Sequence, residues 1–361
     1  MVENPQELLI TTIGAPASNV RVRPTPEQVD ELFDLAFENR VGLLFLERCR
    51  ELGVALSPAA RENHARLSER RDLTERMMIR LSDVLQDVAR DRWVLFKSVK
   101  PFPSTPNDTD WFPFDRREHP ALVRRLLESG FSFLERAPLQ TTLIEDSGAG
   151  LVHSDKRGGI YYIDCYQAPS ADYFIYLDPE KMRRHFTYRE VQGHMLPALD
   201  ACAELIAIMI HNVFPEKTFS MESWFLVLHY VAEIEEKGKI DDFVEAVREN
   251  FVERAVSANV ALAVALHRHF FGNCPDTLSK LLDEFPLAVA EDRLLEQSGY
   301  LLPYNFSNRC FWGSFLEKLR DPVSLRSAGM QALHMLNPVF FADVMRIIWK
   351  RTRRGGIYRQ M

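Results

Sequence analysis

The sequence predicts an α+β fold in which a small mixed β-sheet lies between an N-terminal helical segment and a mostly α-helical C-terminal half. Apolar residues recur with a helical period up to about residue 92 and again along most of the chain beyond residue 178. Between these limits they form short apolar or alternating runs separated by turn residues, which are typical of strands. We therefore divide the chain into a helical segment (1–92), a compact α/β core (93–178) and a helical domain (179–361).

The composition is that of an ordinary globular protein, with 46% hydrophobic and 26% charged residues. A net charge of -7 gives no general attraction for nucleic acid or anionic membranes, so we expect neither DNA nor a membrane as a partner. No secretory signal precedes the first helix, and the apolar stretches are shorter than the roughly 20 residues of a membrane span. The five widely spaced cysteines lack a CxxC pair, which favours reduced thiols and a cytoplasmic location over a zinc cluster or a disulfide framework.

The N-terminal segment contains three predicted helices. Residues 1–24 are mixed in character and contain proline and glycine, so we expect an irregular entry segment. A hydroxyl residue followed by proline marks a helix N-cap and first helical position, and this pair occurs twice. The helices are predicted from Thr25, over residues 41–52 and from Ser57 to about Arg92.

The central block is predicted to contain one helix among several short strands. The helix covers residues 120–129, and the proline-rich stretch 100–106 excludes another. The strands are predicted at 93–96, 108–114, 131–134, 141–145, 150–153 and 160–166. Strand signals largely vanish beyond Pro179, where helices are predicted over 197–213, 221–236, 240–251 and 255–271.

The segment Asp108-Thr109-Asp110 is the first candidate for chemistry. Residues two apart on a strand point to the same face, so both carboxylates are expected to aim at one point. Two like charges at such a short separation are costly unless a cation lies between them. Mg²⁺ is commonly held by one or two carboxylates together with substrate phosphates. The competing interpretation is a solvated turn, for which Pro106-Asn107-Asp108 is suitable chemistry.

Asp164 is the second candidate because it interrupts an otherwise aromatic and aliphatic strand, residues 160–166. An acid in such a place is costly to bury unpaired, so it is either paired with a base or faces a site. Together with Asp108 and Asp110 it completes a set of three acids. Such a set holds divalent cations, and its third member is able to deprotonate an attacking hydroxyl.

The order of these elements resembles the nucleotidyltransferase superfamily of the DNA polymerase beta type. It is more narrowly similar to a poorly characterised bacterial and archaeal family with a leading helical segment and a helical C-terminal half. The features that match are an apolar strand ending in Lys97-Ser98, the acidic pair, a helix ending in Gly130-Phe131, a hairpin and Asp164-Cys165-Tyr166. The resemblance covers roughly residues 26–215.

The resemblance implies a Mg²⁺-dependent transfer of a nucleoside monophosphate from an NTP to a hydroxyl acceptor, with release of pyrophosphate. The acceptor is left open among a small molecule, a protein and an RNA such as tRNA. By the same resemblance, the metal-binding and catalytic residues are Asp108, Asp110 and Asp164, and the residues that contact the triphosphate are Lys97, Ser98 and Lys100.

Two departures from the family pattern, a missing glycine and a missing helix, favour an alternative, a non-catalytic binding or scaffold protein with the same fold. The glycine expected after the first strand is absent, since the chain continues Phe96-Lys97-Ser98. The short proline-rich connection leaves no room for a helix whose N-terminus would bind phosphate. Tyr166 also stands where the family has histidine.

Two further features can each be interpreted either as functional or as structural. Glu204 and His211 lie seven residues apart, so they share one helical face and either line the cleft or form a helix-surface pair. The C-terminal basic run is either a solvated tail or a phosphate-facing segment, and it comprises Lys350, Arg351, Arg353, Arg354 and Arg359.

Overall fold

The computed structural model of the chain describes residues 4–16, 21–106, 108–145, 151–152, 159–286, 291–338, 340–342 and 345–346. It confirms the predicted α+β class, with helices on both sides of a mixed sheet. Helices α1 to α14 span Pro5–Ile13, Pro26–Glu38, Gly42–Glu51, Pro58–Ala89, His119–Glu128, Pro179–Met182, Ala201–Val213, Met221–Glu236, Ile240–Glu249, Glu253–Phe271, Asp276–Glu284, Glu291–Gln297, Asn308–Lys318 and Pro322–His334, and a 3₁₀ turn covers Arg183–His185.

Strands β1 to β13 span Trp93–Leu95, Asp108–Pro113, Phe131–Ala137, Gln140–Glu145, Leu151–Val152, Gly159–Ile160, Tyr162–Tyr166, Ser170–Ala171, Phe174–Ile175, Phe186–Val191, His194–Leu199, Thr218–Phe219 and Tyr304–Asn305. Seven of them form one sheet in the order β10-β11-β1-β2-β7-β4-β3. The pairs β1–β11 and β2–β7 are parallel, and the other neighbours are antiparallel. Three two-stranded ribbons, β5–β6, β8–β9 and β12–β13, lie outside this sheet.

The entry segment predicted to be irregular contains a buried helix instead. Asn4 caps α1 by accepting a hydrogen bond from the backbone N–H of Gln6 at 3.0 Å, and Pro5 occupies the first turn. Leu9 and Ile10 are fully buried in the main core. The prediction was wrong because the helix is short, and most of its stabilisation comes from burial against other helices, which sequence pattern alone does not reveal.

The expectation of few strands beyond Pro179 was also wrong, because β10 and β11 form a hairpin there. Gln192 and Gly193 both have positive φ angles and connect the two strands as a two-residue turn. Pro197, where we placed the start of a helix, lies within β11, and the helix begins only after Asp200. Since β11 pairs with β1, the sheet crosses the domain boundary that we placed at residue 178.

The central strands of the sheet are buried on both faces. Val94 of β1 and Phe112 of β2 belong to the largest apolar cluster, which also includes residues of α1, α7, α8 and α10. Trp93 and Trp111, on the opposite face of the same strands, belong to a second cluster beneath α4 and α5. Such strands are near-continuous apolar runs, so an acid on one of them requires a partner or a function.

The described helices offer no candidate for a membrane span, since none combines sufficient length with sufficient apolar character.

Candidate functional site

The three predicted carboxylates converge on one face of the sheet. Asp110 of β2 lies directly beside Asp164 of the parallel strand β7, and Asp108 precedes Asp110 by two residues on the same face. One carboxylate oxygen from each residue lies within 4.8 Å of the others. The side chains of Ile163 and Cys165 belong to the apolar cluster on the opposite face, which leaves Asp164 directed toward the acidic pair. The alternation expected from the sequence therefore brings the acids together.

Burial makes this group of acids hard to ionise. Asp110 is 6% exposed and Asp164 is 5% exposed, while Asp108 is partly buried. Burial, reinforced by the charge of Asp110, raises the pKa of Asp108 to about 6. Burial together with the charge of Asp108 raises the pKa of Asp164 to about 6, and burial also raises the pKa of Asp110. A bound cation would favour the ionised form of all three.

One oxygen of this site lacks a hydrogen-bond partner. Thr142 donates to Oδ1 of Asp164 at 2.6 Å, and Nζ of Lys97 lies 2.9 Å from Oδ2 of Asp110. Oδ1 of Asp110 is buried and accepts no hydrogen bond from any described residue. Leaving such an oxygen unsatisfied is costly, whereas a divalent cation bound by carboxylate oxygens would satisfy it. The residues present therefore fit a divalent metal ion.

Lys97 is held in an uncommon backbone conformation directly after β1. Its φ angle is +60°, in the left-handed region that a non-glycine residue seldom adopts. Its N–H donates to Oε2 of the buried Glu204 at 2.9 Å, which fixes the peptide. Burial lowers the pKa of Lys97, but the negative charges of Asp110 and Asp108, together with Tyr176, outweigh burial and raise it. Lys97 is therefore a charged ammonium group inside the site.

Ser98 and Lys100, predicted to contact phosphate, are engaged by the protein. The hydroxyl of Ser98 accepts a hydrogen bond from the N–H of Asp110 at 2.9 Å and is 3.2 Å from the carbonyl oxygen of Phe96. It therefore joins the end of β1 to β2. Nζ of Lys100 lies 2.5 Å from Oε1 of Glu222 on α8. Its positive charge also partly offsets the rise that burial and Asp110 cause in the pKa of Asp108. Lys100 is therefore close enough to interact electrostatically with the acids.

Glu204 and His211, which the sequence placed on one helical face, both contact Lys97. Nδ1 of His211 lies 3.2 Å from Nζ of Lys97, and its Nε2 lies 3.5 Å from Oε1 of Glu216. Burial and the nearby ammonium group lower the pKa of His211 to about 4, so the ring is neutral. An ammonium group only donates, so Nδ1 is the acceptor and the ring proton lies on Nε2, facing Glu216.

Arg40 is a member of the site that sequence analysis missed. It follows α2 with a φ angle of +60°, and its guanidinium lies 3.7 Å from Glu216 and 3.9 Å from Glu222. Its positive charge partly offsets the rise that burial and Asp110 cause in the pKa of Asp108. No local signal distinguishes this arginine, because its role depends on packing between the N-terminal segment and the helices after the sheet. A continuous network of polar contacts thus extends from the acids through Lys97, His211, Glu216 and Arg40.

The C-terminal basic run falls outside the described residues, as do both end residues of the strand predicted at 150–153. Comparison of the chain with family models, with curated proteins and with solved structures finds no match to any of them.

Proposed function

We propose that this protein is a Mg²⁺-dependent nucleotidyltransferase that moves a nucleoside monophosphate from an NTP to a hydroxyl acceptor and releases pyrophosphate. The observation that carries this proposal is the convergence of Asp108, Asp110 and Asp164 from adjacent parallel strands, together with the unpartnered buried Oδ1 of Asp110. Perturbed acids that meet in this way are more typical of a functional site than of a structural ion pair.

The chain's own residues suit the separate tasks of this reaction. Asp108, Asp110 and Asp164 would hold Mg²⁺, which when bound neutralises phosphate charge and lowers the pKa of a nearby hydroxyl. The acceptor oxygen forms a bond to the α-phosphorus as the bond to the β-phosphate oxygen breaks, and pyrophosphate leaves. Asp164, the third carboxylate of the set, would accept the hydroxyl proton. Lys100 and Arg40 supply positive charge beside the acids.

The acceptor belongs to one of three classes, a small molecule, a protein or an RNA such as tRNA. An RNA acceptor requires a local basic surface, because the net charge of -7 opposes polynucleotide binding in general. The substrate NTP and Mg²⁺ favour a cytoplasmic location. The cysteines agree with this location, since all five are free thiols and four of them are buried.

A second candidate function, nucleotide-independent binding or scaffolding, is favoured by the segment after β1. Lys97 occupies a backbone position suited to glycine, and the hydroxyl of Ser98 is bonded to the backbone. No helix lies between β1 and β2 in the described residues 96–106. Calorimetric titration with Mg²⁺ and each NTP separates the two functions, because a scaffold produces no binding heat with any nucleotide.

The proposed function is tested by replacing Asp110 with alanine. We expect Asp110→Ala to abolish Mg²⁺-dependent transfer of label from α-labelled NTPs, since the variant removes a metal ligand that lies at the centre of the acid group. Transfer is measured to the protein itself, to total tRNA and to a small-molecule extract, with circular dichroism to verify folding. Asp115→Ala, which removes a surface acid paired with Arg117, is the control and should retain activity. Undiminished transfer by folded Asp110→Ala would defeat the assignment.

A further inference from the structure

The ammonium group of Lys97, which lies next to Asp110, limits the number of metal ions that the site accepts. A carboxylate shared by two divalent ions places one oxygen on each ion, and the ions lie about 3.5–4 Å apart. In this protein Oδ2 of Asp110 already has the ammonium group of Lys97 at 2.9 Å. Only Oδ1, which is buried and has no partner among the described residues, remains for a metal.

We infer that Lys97 takes the place of a second metal ion and that the site binds a single divalent cation. This inference rests on the proposed function, because it concerns the same three carboxylates. Asp108, Asp110 and Asp164 contribute three negative charges when ionised, and Lys97 contributes one positive charge. Before the nucleotide binds, the two net negative charges that remain match one divalent ion, and a second such ion would leave the buried site with excess positive charge.

Several contacts hold the ammonium group in this position. The backbone of Lys97 is fixed by the hydrogen bond from its N–H to Glu204. Its Nζ lies 3.2 Å from Nδ1 of the neutral His211 and 4.8 Å from the centre of the Phe96 ring. The side chain is only 11% exposed. Moving Nζ away to admit a metal would give up an ion pair, a hydrogen bond and a cation–π contact together.

His211 belongs to this arrangement through its acceptor nitrogen. If Nδ1 carried a proton, it could not accept from Lys97, and two N–H donors would face each other. Glu216, 3.5 Å from Nε2, favours the tautomer that leaves Nδ1 free to accept. His211 and Glu204 are positioning residues, since both act on the site through Lys97.

The inference is tested by counting bound Mn²⁺ ions per chain in the presence of a saturating non-hydrolysable NTP analogue. Free Mn²⁺ is quantified by electron paramagnetic resonance, and the count includes the ion that accompanies the nucleotide. We expect one ion for the wild-type protein and two for Lys97→Met, which frees Oδ2 of Asp110. Lys97→Gln, which is neutral but still donates a hydrogen bond, is a second variant should Lys97→Met fail to fold.

Lys181→Met is the control, because this lysine also pairs with a carboxylate, that of Asp321, which lies outside the group of three acids. It should keep a count of one. Two ions on the wild-type protein, or one ion on each folded Lys97 variant, would overturn the role of Lys97 and leave the proposed function intact. Absence of specific Mn²⁺ binding, with identical results for wild-type protein and Asp110→Asn, would instead overturn the metal site and the proposed function together.

Discussion

Two buried clusters of charge in this protein use the same residue types with opposite results. At the junction of α13 and α14, Oδ2 of Asp321 accepts hydrogen bonds from Lys318 and Lys181, both at 2.9 Å. Its Oδ1 caps α14 by accepting from the N–H of Val323 at 3.0 Å. Burial alone would raise the pKa of Asp321, but the neighbouring lysines outweigh it and lower the pKa.

The acid site on β2 and β7 differs from this cluster because its carboxylates outnumber its cations. Three acids share one directly bonded ammonium group, and Oδ1 of Asp110 has no described partner. The pKa values of all three acids are raised, mainly by burial. The contrast shows how to separate the two roles of a buried acid. Complete pairing favours a structural role, whereas three converging acids with a buried unpartnered oxygen favour a site that a ligand completes.

The largest expected effect on stability concerns the completely paired cluster. Asp321→Asn should lower the free energy of unfolding by about 3–5 kcal/mol, as expected when one partner of a buried ion pair is removed. The fully buried Lys318 would then lose its ion pair and keep neutral acceptors such as the carbonyl oxygen of Asn250. Chemical denaturation measures the change.

Asp115→Asn serves as a surface control for this experiment. Its partner Arg117 is 90% exposed, so the loss should be much smaller than that of Asp321→Asn. A loss of similar size for the two variants would mean that burial does not strengthen the Asp321 pairing, and the comparison would fail.

The two clusters also differ in how far sequence analysis could predict them. Asp164 was recognisable because an acid interrupts an apolar strand, and Asp108 and Asp110 because a two-residue period places them on one face. Asp321 before Pro322 indicates a helix cap, but its partner Lys181 lies 140 residues away and has no sequence signal. Local periodicity predicts which face a side chain occupies, whereas its partners depend on packing between distant elements.

The same limit applies to the surroundings of the acid site. Glu204 and His211 were predicted to share a helical face, yet nothing in the sequence identifies Lys97 as the group that both contact. The hairpin of β10 and β11 did have a usable signal, since Gln192-Gly193 separates two runs of strand-forming residues. That signal was overridden by Pro197, which we took for the first turn of a helix.

A smaller effect of opposite sign is expected at the acid site. Asp164→Asn should raise the free energy of unfolding of the metal-free protein at pH 8 by about 1–2 kcal/mol. A pKa raised by roughly two units corresponds to at most about 3 kcal/mol, and the amide still has to be desolvated. The variant keeps an oxygen that accepts from Thr142.

The same variant should lose Mg²⁺-dependent nucleotide transfer, which separates stability from function. Denaturation in the presence of a chelator, compared with the labelled-NTP assay, measures both quantities. Destabilisation by Asp164→Asn would place Asp164 with the completely paired acids and remove the distinction between the clusters.

The smallest effect is the dependence of this stability difference on pH. In the folded protein the pKa of Asp164 is about 6, against an ordinary value of 3.8. Between these values the folded state retains a proton that the unfolded chain has released, so the stability of the wild-type protein falls as the pH rises through about 6.

The stability gained by Asp164→Asn should therefore be larger at pH 8 than at pH 5, by about 1 kcal/mol. Glu204 and Glu317, whose pKa values burial raises to about 7, are present in both proteins and largely cancel in this difference. An equal gain at both pH values would show that Asp164 does not titrate in this range and that the excess of buried negative charge is not what distinguishes the site.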